Sequence, residues 1–159
     1  MGGGAGPGAQ RLVIDVDSTI CQVYGRAKIG AAYGYTKVLG YHPILATRAD
    51  TGEIVHARMR KGSANTQRGT KRFVEELVAR VRRGGASGEI VARFDSGYWS
   101  NETINVLGRA NVRYTMAVRA TTKAVATAIA TIDEAAWVSI PTPPTAKPPW
   151  PSVSMAGVA

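Results

Sequence analysis

The strongest constraint in the sequence is an apolar stretch at residues 11–20, RLVIDVDSTI, which alternates like a β-strand and ends in two aspartates. Its apolar even positions fall on one face of a strand, whereas Asp15 and Asp17 fall on the other. Burying an ionised carboxylate is costly unless it has a partner. The pair is therefore a candidate functional site rather than part of a core.

A second stretch has the same design at residues 89–98, EIVARFDSGY. Here a short apolar strand ends at Asp95, which is followed by Ser96 and Gly97. Carboxylate oxygens are the ligands that hard divalent cations prefer. If the two strands lie side by side and point the same way, Asp17 and Asp95 become neighbours. They could then bind a pair of Mg²⁺ ions about 3.5–4 Å apart that act on a phosphodiester.

The remaining pattern predicts an α/β fold with the order β-β-β-α-β-α-β-α. After the first strand we expect strands near 40–47 and 54–59, a helix at 66–83, a strand at 90–94, a helix at 100–107, a strand at 112–118 and a helix at 122–132. Residues 22–35 are expected to be a basic loop, and Asn65 or Thr66 is expected to cap the first helix. Three antiparallel strands followed by helix and strand alternation specify a mixed sheet whose later strands lie parallel to the first.

The charge of the chain favours a polyanionic partner. Twenty Lys and Arg against eleven Asp and Glu give a formal net charge of +9. The candidates to contact DNA phosphates along a groove are Arg26, Lys28, Arg58, Arg60 and Lys61. A solvated basic surface is the alternative interpretation. No apolar run is long enough to cross a bilayer, and the N-terminus lacks the features of a signal peptide, so we expect an intracellular protein without a membrane partner.

Four motifs occur in order along the chain, and together they resemble the DDE transposases of bacterial insertion sequences, which have a ribonuclease H-like catalytic core. They are IDVDST, GYTKVLGYHPILA, ADTGEIVHARMRKGSAN and VARFDSGYWSNE. The resemblance implies that Asp17 and Asp95 are the first two catalytic acids and metal ligands. Asp15 then has a supporting electrostatic role, or exchanges roles with Asp17. The resemblance further implies Mg²⁺-dependent cleavage and strand transfer at transposon DNA ends, in a bacterial cytoplasmic protein of the nucleoid that could form homo-oligomers.

The chain departs from that family in its last part. The family's third acid, a glutamate on a helix beyond the fifth strand, has no matching position, because Glu102 and Glu134 stand in unsuitable contexts. Residues 141–159 hold six of the eight prolines and cannot continue a sheet. We therefore expect a disordered segment at 1–10, a partial catalytic domain at 11–140 and an aberrant or disordered tail at 141–159. Such a truncated fragment is expected to be inactive.

Two other functional classes remain open. The string DVDST also fits the signature of haloacid-dehalogenase-like phosphatases, in which Asp15 would be the nucleophile and Asp17 the general acid. The later sequence lacks the Gly-Asp acidic motif of those enzymes. The third class is a non-catalytic DNA-binding remnant. His42 and His56 have no zinc-ligand spacing and are interpreted as structural. Tyr98 and Trp99, just after Asp95, could stack on a displaced base, but packing beside the site is the favoured interpretation for both.

Overall fold

The computed structural model describes residues 7–25, 27–119 and 123–138. The predicted tail at 141–159, and residues 1–6 of the predicted disordered segment, lie outside them. Residues 7–10 form a turn in which the Gln10 amide donates to the Pro7 carbonyl, and the Gly8 carbonyl accepts from two backbone amides at 87 and 88. The chain divides into two compact units, residues 1–119 and residues 120–159.

The described residues of the first unit form eight strands and two α-helices. In chain order these are β1 (Leu12–Ser18), β2 (Cys21–Gln22), β3 (Ala32–Tyr33), β4 (Leu39–Tyr41), β5 (Ile44–Arg48), β6 (Ile54–Arg58), α1 (Thr70–Arg83), β7 (Ile90–Phe94), α2 (Asn101–Arg109) and β8 (Arg113–Met116). In the second unit, α3 (Lys123–Ala130) is followed by a 3₁₀ turn, Glu134–Ala136. None of the helices in the described ranges is long and apolar enough to cross a membrane.

The main sheet has five strands in the order β6-β5-β1-β7-β8. Strand β1 lies at its centre, antiparallel to β5 and parallel to β7, and β7 is parallel to β8. Each parallel connection contains a helix, α1 before β7 and α2 before β8. The predicted ribonuclease H-like mixed sheet, with three antiparallel strands followed by alternating helices and parallel strands, is confirmed.

The predicted strand at 40–47 is divided between two sheets. Strand β4 pairs with β2 and β3 in a small three-stranded sheet, whereas β5 pairs with β1 in the main sheet. The break falls at His42 and Pro43, where proline lacks the amide that would continue a ladder. The sequence interpretation of residues 22–35 as a loop is wrong in part, because β3 and the end of β2 lie there.

The core covers one face of the main sheet. The even positions of β1 and β7 are buried together with the apolar residues of α1 and α2, namely Phe73, Val74, Leu77, Val81, Val106 and Leu107. The odd positions of β1 and β7 fall on the opposite face and include the acidic residues. Strand alternation therefore separates the packing residues from the candidate site.

Helix α1 begins later than the sequence predicts, so the expected cap at Asn65 or Thr66 is wrong. The residue before the helix is Gly69, in the left-handed region at φ 78°, and no side chain caps the first turn. Instead, the Asn65 side chain accepts from the Arg68 amide in a preceding turn. In contrast, Ser100 caps α2 by accepting from the Thr103 amide at 3.1 Å.

The small sheet is joined to the segment after β6 by a close approach at Gly62. The Gly62 amide donates to the Gly30 carbonyl at 3.2 Å. A Cβ atom at this position would overlap the backbone carbonyl oxygens of Gly40 and Ala32. Only glycine fits here without moving the backbone.

We expect Gly62→Ala to lower the free energy of unfolding by about 1–3 kcal/mol, because the added methyl group forces the small sheet away from residue 62. Urea denaturation measures this change. Gly108→Ala is the matched control, since a methyl group added there would meet no atom within 4 Å. On a helix this control should be stabilising by about 0.5–1 kcal/mol. Equal stability of the Gly62 variant and the wild type would contradict the packing argument.

Candidate active site

Asp17 and Asp95 lie at the carboxyl ends of two adjacent parallel strands. In the β1–β7 ladder Val16 is the partner of Phe94, so the next residue on each strand is an aspartate. Asp95 keeps an extended backbone (φ −77°, ψ 174°) as it leaves β7. The topology thus brings the two acids to the same edge of the sheet.

Each of these carboxylates is exposed and fixed by a backbone amide. Oδ1 of Asp17 accepts from the Ser18 amide at 2.7 Å, and Oδ1 of Asp95 accepts from the Gly97 amide at 2.9 Å. Among the described residues, neither carboxylate forms an ion pair. Two oriented anions without a counter-cation are a suitable binding site for a cation.

Asp15 is on the same face of β1, but its charge is already paired. Its two carboxylate oxygens accept from Nε and Nη2 of Arg93 at 2.5 and 2.7 Å, across the β1–β7 ladder. The hydrogen bond from Arg93 lowers the pKa of Asp15, and the Arg93 charge also lowers it, against an opposing effect of burial. Both oxygens are occupied, so Asp17 is the stronger candidate for a metal ligand.

A buried histidine supports the strand end that carries Asp17. His42 is buried, with Nδ1 2.8 Å from the Ala64 carbonyl and Nε2 3.0 Å from Oγ of Ser18. Since a carbonyl only accepts, Nδ1 donates to Ala64, and Nε2 shares a second hydrogen bond with the serine hydroxyl. This is the structural role that the sequence predicts for His42.

Tyr98, three residues after Asp95, packs in the core. Its side chain is fully buried, and its ring lies 5.6 Å from the Phe94 ring between centroids. Burial raises the pKa of Tyr98 to about 12; the charges of Asp17 and Asp95 act in the same direction, while the Ser18 hydroxyl and Arg60 act in the opposite direction. Tyr98 therefore stays neutral and belongs to the core, as expected. The expected packing of Trp99 is wrong, because its side chain is 43% exposed.

The second histidine is also structural. His56 stacks on Phe73 with ring centroids 4.6 Å apart, and its Nε2 lies 3.3 Å from Oε2 of Glu76. Burial lowers the pKa of His56, with the Arg80 charge acting in the same direction. A neutral imidazole in the core fits this position.

Arg60 faces inward, not toward a groove. It is buried, with Nε donating to the His42 carbonyl and Nη1 donating to three carbonyls, those of Asn65, Thr66 and Arg68. A guanidinium with these partners holds the 65–68 turn in place. Arg60 is therefore removed from the set of residues proposed to contact DNA.

The other basic candidates differ in how much charge they present. Lys28 and Lys61 are exposed, and Arg26 lies outside the described residues. Arg58 pairs with Glu76 at 2.5 Å, so part of its charge is neutralised. Lys28 and Lys61 are the strongest members of the set.

Sequence reasoning missed three basic residues. Lys37 and Arg68 are exposed near the small sheet and the turn before α1. Arg93 was also missed, although a signal was present. Aligning the two strands on their terminal aspartates puts Asp15 opposite Arg93, the pair that the register contains.

The site supplies part of a metal-binding set. The described residues contain no group of three or more His, Cys, Asp or Glu that could hold a metal ion. The carboxylates of Asp17 and Asp95 fit a divalent cation chemically, because their oxygens are hard, exposed and unpaired with a cationic side chain among the described residues. Water or a further acid would have to complete the coordination.

Comparison with known proteins supports this interpretation of the fold. The family described as Transposase DDE domain group 1 matches residues 7–143. A piggyBac transposase in a synaptic complex with hairpin DNA has a similar fold, with a TM-score of 0.55 and 15% identity over 77% of this chain and 26% of that one. The Mos1 transposase in a paired-end complex with the left transposon end gives a TM-score of 0.48, with 8% identity over 64% of this chain and 34% of that one.

No curated protein matches the chain in sequence. At 15% identity, the likeness to the piggyBac transposase concerns the fold alone. The chain spans only 26% of the length of that transposase.

We expect Arg93→Gln to raise the pKa of Asp15, because the variant removes the hydrogen bonds that favour the carboxylate. A depressed carboxyl pKa stabilises the folded protein above the unfolded value of about 3.9 and stops doing so as the pH falls through the folded value. The stability difference between wild type and variant should therefore be largest above about pH 4 and shrink at lower pH. NMR titration of Asp15 and urea denaturation measure both effects.

Arg93→Lys is the matched control for this prediction. Lysine keeps the positive charge but cannot donate two parallel hydrogen bonds as the planar guanidinium does. We therefore expect a pKa of Asp15 between those of the wild type and Arg93→Gln. An Asp15 pKa that is the same in all three proteins would contradict the assigned contact.

Proposed function

Because the chain belongs to the Transposase DDE domain group 1 family, we propose that it is part of the catalytic core of a DNA transposase. Its activity would be cleavage and transfer of DNA strands at transposon ends. The observation that carries this proposal is the parallel pairing of β1 with β7, since Asp17 and Asp95 are the residues that follow the Val16 and Phe94 pair at one edge of the sheet. An origin in a bacterial insertion sequence and a location at the nucleoid are parts of the same proposal.

In the proposed reaction, Asp17 and Asp95 hold the divalent cation, with Mg²⁺ as the expected ion. The chemistry supplied by bound Mg²⁺ is activation of the attacking water or 3′-hydroxyl and stabilisation of the leaving oxygen. The backbone amides of Ser18 and Gly97 orient the carboxylates before the ion arrives. Arg93 neutralises Asp15, which limits the repulsion between the acids and the incoming phosphate.

We further propose that these two acids alone support little or no strand transfer. Within the described residues, no third carboxylate joins them in a metal-binding group. Affinity for a hard cation depends on the number of charged ligands, so two carboxylates hold it weakly. A complete site would need a third acid supplied from elsewhere.

The phosphatase alternative is not favoured by the contacts of Asp15. That mechanism needs a carboxylate oxygen available to attack phosphorus, whereas both oxygens of Asp15 are bound by Arg93. One observation supports the alternative that the chain is a non-catalytic DNA-binding remnant, namely the exposed charges of Lys28 and Lys61. Unlike a transposase, such a remnant would need no metal.

We expect Mn²⁺, used as a spectroscopic substitute for Mg²⁺, to bind the wild-type chain weakly and at a site that includes both acids. Asp17→Asn and Asp95→Asn should each weaken binding by about tenfold or more, because each removes a charged ligand. Electron paramagnetic resonance of free Mn²⁺ measures the affinity. Asp50→Asn is the control, since Asp50 pairs with Arg48 in an exposed turn. Equal affinities in all four proteins would refute the metal site.

DNA binding should survive the loss of both acids. We expect the double variant Asp17→Asn and Asp95→Asn to bind duplex DNA like the wild type, with an affinity that falls steeply as salt rises. Lys61→Ala should reduce the slope of log affinity against log salt by about one. Arg11→Ala, at the opposite end of β1, should leave this slope unchanged.

Nicking of supercoiled DNA in the presence of Mg²⁺ distinguishes an active transposase from a non-catalytic DNA-binding remnant. We expect the wild-type chain to nick no faster than the double variant, because two acids hold the metal poorly. Nicking by the wild type above that background would show that two acids suffice and would overturn the proposed inactivity. Loss of DNA binding in the double variant would contradict the assignment of binding to the basic residues.

A further inference from the structure

Several tyrosines near the small sheet are unusually exposed. Tyr24, Tyr33 and Tyr35 are 81%, 59% and 79% exposed. We call these three residues the tyrosine surface. Tyrosine side chains carry large apolar area and are typical of binding surfaces when they are exposed.

The register of the small sheet explains why Tyr33 is presented to solvent. Tyr33 is paired with Leu39, and Cys21 is paired with Tyr41, so these four residues share one face of the sheet. Gly62 lies against the backbone of Ala32 and Gly40 instead. Leu39 and Tyr41 are partly buried on this face, whereas Tyr33 and Cys21 are exposed.

The chain segment that carries the tyrosine surface has charge of one sign. Residues 18–47 contain no aspartate or glutamate, but they contain Arg26, Lys28 and Lys37. Lys28 and Lys37 are exposed. Aromatic rings set among cations match a single nucleic-acid strand, in which bases and phosphates alternate.

The backbone on either side of Tyr33 and Tyr35 is held by hydrogen bonds. The Tyr41 hydroxyl donates to the Ile29 carbonyl at 2.9 Å, and the Lys37 amide donates to the Gly34 carbonyl at 3.0 Å. The Gly62 amide holds the loop at Gly30. A surface ordered in advance loses less conformational entropy when a ligand binds.

A chain of contacts links Tyr35 to the strand end that carries Asp17. The Tyr35 ring lies 6.0 Å from the His42 ring between centroids. His42 in turn contacts the Ser18 hydroxyl at 3.0 Å, and Ser18 directly follows Asp17. A DNA strand with its phosphodiester at Asp17 would have neighbouring nucleotides within reach of Tyr35.

We propose that the tyrosine surface stacks on unpaired bases of the DNA strand that lies at Asp17 and Asp95. This inference rests on the proposed DNA-processing function of that site. The ligand is single-stranded or locally melted DNA, because a duplex keeps its base faces inside the helix. Stacking is tolerant of sequence, since every base has a π-face, so the surface would hold an opened end without reading its sequence.

Binding of a fluorescein-labelled oligothymidine of about 16 nucleotides to the full chain, without metal and followed by anisotropy, tests the proposal. We expect the double variant Tyr33→Ala and Tyr35→Ala to bind about tenfold or more weakly. The double variant Tyr33→Phe and Tyr35→Phe should bind like the wild type, because phenylalanine keeps the ring. Tyr114→Ala on β8 is the matched control, at a tyrosine that is 39% exposed.

An abasic strand of the same length separates stacking from charge. The wild type should bind oligothymidine more tightly than the abasic strand, and the alanine double variant should bind the two strands equally. The proposal would be overturned if the alanine double variant lost the same affinity for both strands, or lost no affinity for either. A change in sedimentation mass without a change in DNA affinity would also overturn it, by assigning the surface to contact with a second copy of the chain.

The outcome is independent of the metal chemistry. The assay contains no metal, so it does not depend on cation binding by Asp17 and Asp95. If the wild type binds neither oligothymidine nor duplex DNA, the proposed function fails together with this inference. If it binds the duplex and the abasic strand as tightly as oligothymidine, only the stacking inference fails.

Discussion

The arrangement of the candidate site depends on the parallel pairing of β1 with β7. In a parallel pair both carboxyl ends point the same way, so residues that follow the two strands must meet at one edge. The helical connection through α1 makes this pairing possible, because parallel neighbours need a long crossover. Burial of the even positions on both strands fixes the register, since a slip by one residue would turn the apolar side chains outward. The packing of the core thus determines which acids become neighbours.

The register also gives Asp15 and Asp17 different surroundings, although the sequence pattern of the two residues is the same. Asp15 and Asp17 are one pleat repeat apart on one face, yet Asp15 is opposite Arg93 and Asp17 is opposite no cation of β7. An arginine that donates to both oxygens of a carboxylate makes that carboxylate a poor metal ligand. It also links the two strands that carry the pair. The pair is half-exposed, so its importance lies in assigning roles more than in stability.

Much of the main sheet could be predicted from the sequence, because alternation and helical periodicity are local signals. The strands at β1, β6 and β7 and the helices α1 and α2 follow from such patterns. The small sheet could not be predicted, since β2 and β3 are two residues long and are held by packing on Gly62 and not by their own pattern. The inward position of Arg60 was missed for a similar reason: its partners are backbone carbonyls, which carry no signature in the sequence.

The use of arginine in this chain weakens any argument from net charge alone. Of the basic residues near the site, Arg60 holds a turn, Arg58 pairs with Glu76 and Arg93 pairs with Asp15. The exposed basic residues left near the site are Lys28, Lys37, Lys61 and Arg68, and Lys28 and Lys37 lie on the acid-free segment around the small sheet. Lysine is a compact, flexible point charge suited to phosphates, whereas specificity for bases must come from other groups. In this chain we propose that the exposed tyrosines of the segment that carries Lys28 and Lys37 supply those contacts to bases.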